Sequence, residues 1–135
     1  MTVNTKEFMA AFDKWIDTTE LAVDKAFKAT GIDMFASIIK RTPVGDPDQW
    51  SEESRKSMPA GYVGGRLRGN WQASLNNPLT NQLDTIDPNG SSTISKMTAS
   101  VRAANAGNAI YLSNNLVYAE RVEEGWSKQA PAGMV

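Results

Sequence analysis

The sequence predicts a domain of the α+β class, and three observations carry that prediction. An amphipathic helical period runs through the first 41 residues, a Gly/Pro-rich loop follows over 42–70, and short alternating strands mixed with short helices fill 71–135. At 135 residues the chain is one domain of ordinary size, large enough to bury a core without a metal or disulfide staple.

Apolar residues Phe8, Phe12, Trp15, Ile16, Ala22, Val23, Ala26, Phe27, Met34, Phe35, Ile38 and Ile39 recur mostly at spacings of three and four. Asn4 or Thr5 is placed to cap the start, with Glu7 in the first turn where the helix dipole favours an acid. Lys40 and Arg41 sit in the last turn and Pro43 stops it. The spacing predicts one helix of about 35 residues, or two shorter ones meeting at Gly31. A helix of that length spans about 52 Å, against a diameter of about 36 Å for a domain of this size. It needs either a kink at Gly31 or cover from another chain.

The loop holds Pro43, Pro47 and Pro59 among five glycines, with a helical turn or two expected only over Ser51 to Met58. Loops this long are usually functional or disordered. Asp46 and Asp48 with Glu52 and Glu53 suggest a hard-cation cluster but lack EF-hand spacing, so a solvated loop is expected. Gly61 to Arg66 resembles a phosphate loop only in its glycines. Arg55, Lys56, Arg66 and Arg68, with Tyr62 and Trp71 nearby, suit a loop that docks on a protein partner through Arg and aromatic anchors. A single-strand or phosphate grip is the weaker alternative, because Glu52 and Glu53 offset half the charge.

Trp71 to Leu75 alternates as a strand and stops at Asn76-Asn77-Pro78; Thr80 to Asp87 is a short helix or an extended piece. Asp87-Pro-Asn-Gly90 is a turn, after which Ser91 or Ser92 is expected to cap a helix carrying Ile94, Met97 and Val101. Ala109 to Ser113 reads as a second strand, Asn114-Asn115 as a turn, and Tyr118 to Glu124 as a short helix ended by Gly125 at positive φ. Glu120, Glu123 and Glu124 are expected to form an exposed charged face. The final Met134-Val135 suggests a strand joining the sheet, or a C-terminal element beyond the given chain.

Composition excludes much chemistry. Without Cys or His there is no thiolate or imidazole metal site, no cysteine nucleophile and no Ser-His-Asp triad. No cofactor, metal site or catalytic residue is expected. A net charge of −1 argues against bulk attraction to DNA or to a membrane surface, and no apolar cluster is long enough to span a bilayer. A soluble protein made in a cytoplasm is the expectation.

Three segments in order carry a family resemblance: Arg41-Thr-Pro-Val-Gly45, Gly64-Gly-Arg-Leu-Arg-Gly-Asn-Trp71, and Ile110-Tyr-Leu-Ser-Asn-Asn-Leu-Val-Tyr-Ala-Glu-Arg-Val-Glu-Glu-Gly-Trp126 running on to Val135. Together they resemble the tail-completion or neck proteins of tailed bacteriophages, also described as minor tail or head–tail joining components. The resemblance implies a long N-terminal helix packed on a small, mostly antiparallel sheet, a further helix after the segment matching Ala130–Val135, and no enzymatic activity. It also implies a homo-oligomeric ring, plausibly a hexamer, set between connector and tail-terminator or tail-tube proteins. DNA would pass through without sequence-specific binding. The protein would reside in the virion, assembled in the host bacterial cytoplasm. The expected interface residues are Arg55, Tyr62, Gly64, Arg66, Leu67, Arg68, Trp71, Asn114, Asn115, Tyr118, Glu123, Gly125 and Trp126. Arg66 and Arg68 are expected to pair with acids on an adjacent subunit, and Asn114-Asn115 to tie a turn that holds Tyr118 and Glu123.

Overall fold

The computed structural model describes residues 4–135 and confirms an α+β architecture. Helix α1 spans Thr5–Arg41, with the side chain of Asn4 accepting from the Glu7 amide at its start. It runs unbroken through Gly31, so of the two alternatives the single helix is the one that forms. Gly31 lies against Val101 and the end of Ile110, and the lack of a Cβ there lets the Ile110 side chain approach the helix. A short 3₁₀ turn (Pro47–Gln49) and α2 (Glu52–Lys56) follow, then α3 (Arg66–Gly69), β1 (Gln72–Leu75), α4 (Ser91–Arg102), β2 (Ile110–Ser113) and α5 (Ala119–Glu123).

The sheet is one antiparallel pair, with Gln72 opposite Ser113 and Leu75 opposite Ile110. Helix α4 packs between the sheet and the C-terminal half of α1. Ile39, Met97, Val101 and Met134 are almost wholly enclosed at its centre. Thr80–Asp87 takes the extended alternative and pairs with no strand. Its backbone is held instead by amide side chains. Asn70 accepts from the Leu83 amide, Gln72 donates to the Asn81 carbonyl, and Asn115 donates to the carbonyls of Leu79 and Asn81. Backbone polar groups near a core need partners, and here side chains supply what a ladder would.

The cap of α4 differs from expectation. Neither Ser91 nor Ser92 serves; Asp87, four residues upstream of the helix, does. Its carboxylate, 7% exposed, accepts from the amides of Gly90 (3.1 Å) and Thr93 (2.8 Å) and from the Thr93 hydroxyl (2.8 Å). The Asp87-to-Gly90 turn carries the carboxylate over the helix start, where the dipole adds to the hydrogen bonds. Burial pushes the Asp87 carboxyl up, but the donors on Thr93, Gly90 and Ser92 outweigh it and hold it below its ordinary 3.8. The chain end forms no strand. Met134 inserts into the core, and the Glu123 carboxylate accepts from the amides of Met134 (2.7 Å) and Val135.

The C-terminus of α1 is the other polar junction. Thr42, fully buried, donates through its hydroxyl to the Ile38 carbonyl and accepts the Trp71 indole N–H at 2.7 Å. Arg68 donates to the carbonyls of Lys40, Thr42 and Pro88. A helix end leaves carbonyls without intrahelical partners, and a cation there also suits the dipole.

Two outcomes follow from these junctions. Thr42→Val leaves the buried indole N–H unmatched and lowers stability by about 1–3 kcal/mol in urea denaturation. Adding Trp71→Phe to it costs less than the sum of the single changes, because both partners then go together. Asp87→Ala costs about 1–2 kcal/mol at neutral pH. The folded carboxyl titrates below 3.8, so its contribution is complete above that pH and is lost as pH falls through the folded value. Midpoints of wild type and variant, measured from pH 7 to pH 2, therefore converge on the acid side.

Candidate functional site

Two surfaces stand out, and they lie on different parts of the chain. The first is the N-terminal half of α1. Every residue from Thr5 to Val23 except Ile16 is exposed, and the first polar tie to the rest of the domain is made by Asp24, which accepts from the Ala106 amide at 2.6 Å. Phe8, Phe12 and Trp15 stack in sequence with ring centroids 6.3 and 5.9 Å apart, yet they are 60%, 44% and 61% exposed. Four-residue and three-residue spacing brings them onto one face. That face continues into an apolar groove of about 530 Å³ between α1 and Ile110, lined by Val23, Ala26, Phe27, Thr30 and Met34.

The second surface is a cleft of about 250 Å³ where the loop after α1 meets α3, α5 and the chain end. Tyr62, Arg66 and Tyr118 line it, with Trp50 packed edge-on against Tyr62 at 5.0 Å. Burial pushes the Tyr118 hydroxyl above its ordinary 10.0; the Arg66 charge opposes the shift and Tyr62 adds to it. Beside the cleft, Trp126 is 74% exposed and Arg121 lies 5.6 Å from its ring, a cation–π distance. Gly125 places Trp126 there: it has φ +85°, and a Cβ would approach the Pro131 carbonyl oxygen at 2.5 Å.

The structure thus gathers Tyr62, Arg66 and Tyr118 in one cleft, leaves Trp126 exposed on the neighbouring surface, and turns other expected interface residues inward. Leu67 and Trp71 belong to the core. The donors of Arg68 go to carbonyls of its own chain, at the end of α1 and at Pro88, so its expected pairing with a neighbour's acids is met internally. Arg66 pairs with Asp84 of the same chain at 3.4 Å. Asn114 donates to the Leu67 carbonyl and Asn115 to the 79–81 segment, so the pair ties distant segments rather than a local turn. Glu123 anchors the chain end. Gly64 packs closely on Gly45. Arg55 donates to the Asp48 carbonyl, and Lys56 pairs with Glu52 at 3.7 Å. All four cations of the 55–68 stretch are engaged within the chain. Asp46 accepts from the Asp48 amide and the Gln49 side chain, capping the 3₁₀ turn. Among the described residues no group of three or more acidic side chains is arranged to hold a metal ion.

A cleft built of phenols, a guanidinium and an indole suits docking to another protein, where such side chains dominate binding. Its electrostatics can be read directly. The alkaline absorbance titration is expected to contain a tyrosine phase above 10.0 that Tyr118→Phe removes, and Arg66→Met is expected to shift that phase further up because the opposing charge is gone.

No protein-family model, curated protein or solved structure matches this chain.

Proposed function

We propose that the chain is a structural subunit of a tailed-phage virion: a ring-forming neck or tail-completion component that joins tail to head and lines the DNA path. The observation that carries this reading is the bare half of α1. At 37 residues the helix is about 55 Å long, and all of Thr5–Val23 but Ile16 is exposed, with three stacked aromatics in solvent. Apolar patches of this extent mark interaction surfaces.

Two dissimilar surfaces on one chain, the bare helix and the Tyr62–Tyr118 cleft, suit heterologous contacts, which close into rings when the rotation allows. A surface with a net charge of −1 suits a channel that DNA must pass without being gripped. The sequence resemblance points to the same class. A tail-terminator ring is the alternative within that class. A nucleic-acid module using the basic 55–68 loop has less support, because its four cations are engaged inside the chain.

Mass spectrometry of purified particles tests the proposal: the protein is expected as a stoichiometric virion component, and its absence from particles overturns the reading. Arg66→Glu and Trp126→Ala alter exposed side chains, so both variants are expected to fold with unchanged melting temperature while head–tail joining fails in a complementation assay. Salt-sensitive DNA binding by the isolated protein favours the nucleic-acid module instead.

A further inference from the structure

The ring reading leaves open what covers α1, and the helix itself carries both halves of an answer. At 3.6 residues per turn, Phe8, Met9, Phe12, Trp15, Ile16, Thr19, Val23, Ala26, Phe27 and Thr30 fall within one arc of about 120°. Every charged residue from Lys6 to Lys28 falls outside that arc. The side chains along it are graded. Its N-terminal end presents aromatics, whereas its C-terminal end presents Val23, Ala26 and Thr30, small residues flanked by Phe27, Met34 and Ile110. One end projects and the other recedes.

We infer that this stripe mates with a second copy of the chain: the Phe8–Phe12–Trp15 rung of one copy seats in the groove that Val23, Ala26, Thr30 and Ile110 form on another. The inference rests on the ring reading and specifies its contact. The groove's 530 Å³ is ample for the rung, since an apolar cavity of about 150 Å³ takes one benzene. It is also long enough: the rung spans about 10 Å along the axis and the groove about 16 Å. The exposed side chains of rung and groove offer about 600 Å² of apolar surface, at 150–250 Å² for a whole aromatic residue. An ordinary interface is a little over half apolar, so this corresponds to about 1,000 Å² in total, the size at which specific contacts begin.

Other occupants fit less well. The helix from Thr5 to Thr30 carries four lysines and five acids, which gives anionic lipid or nucleic acid no net attraction. A single chain cannot fill its own groove, because α1 is unbroken between rung and groove.

The test uses the full chain with Phe12 replaced by the photo-reactive aromatic p-benzoylphenylalanine, which preserves a ring in the rung. Irradiation is expected to give covalent oligomers whose adducts map to residues 23–34 or to Ile110 of another copy. Phe12→Glu, at an exposed position of α1, is expected to keep the fold and weaken self-association about thirtyfold or more by sedimentation. Adducts that map elsewhere while native mass spectrometry still shows a ring overturn the seat and leave the ring reading standing. Adducts at the groove in a closed dimer uphold the seat and remove the ring. A monomer that yields no adducts but floats with phosphatidylglycerol vesicles overturns the inference in favour of a membrane surface.

Discussion

A helix that is anchored over only its second half must be held firmly at that half, and in this chain the anchor is the Thr42 junction. Its hydroxyl completes the last turn of α1 through Ile38 and receives the Trp71 indole, while the Thr42 carbonyl takes the Arg68 guanidinium. Three parts of the chain meet there: the end of α1, the turn of α3 that leads into β1, and the Pro88 turn that leads into α4. Buried donors and acceptors left alone are costly, so each partner fixes the others. Gly65 belongs to the same junction. Its φ of +108° and the approach of the Pro88 backbone leave no room for a Cβ, and its carbonyl accepts from both Gly69 and Asp87.

Outward from that point, amide and carboxylate side chains do the work that strands do in larger sheets. With one antiparallel pair of four residues each, the ladder satisfies few backbone groups. Asn70, Gln72 and Asn115 hold 79–83, Asp87 holds the start of α4, and Glu123 holds the chain end. This explains how so much irregular chain stays fixed on a small core. It also explains why Asn70 is as fully buried as Ile39: its amide bonds both ways, to the Arg66 carbonyl and the Leu83 amide.

What the sequence made legible follows from the range of each interaction. The ends of α1, the two strands, the turn at Asp87 and the positive φ at Gly125 depend on residues three or four apart, and all were readable. The cap on α4 was missed because Asp87 reaches past the Ser residues beside the helix. The roles of Arg68, Asn114 and Glu123 depend on partners 11 to 47 residues away, which no local spacing reveals. So a basic loop read as an interface turns out to be partly a clasp. Tyr62, Tyr118 and Trp126 were named as single interface residues, because large aromatics near Gly and Arg are conspicuous in any register, but the cleft that puts Tyr62 with Tyr118 was not legible. Nor was the groove beside Ile110, since it exists only once the Ile110 side chain reaches α1 at Gly31.

The same anchor gives the protruding helix its mechanical character. An unbroken α-helix bends only gently, so a rung set about 45 Å from the Thr42 junction is carried at a fixed angle to the domain rather than on a flexible tether. Rigid presentation avoids the ordering cost that a disordered arm would incur on docking. In the proposed ring it would also make the angle between neighbouring subunits a property of the junction itself. Thr42, Arg68 and Trp71, whose partners all lie within the chain, would then set the curvature of the proposed assembly as firmly as the aromatics proposed to meet a neighbour.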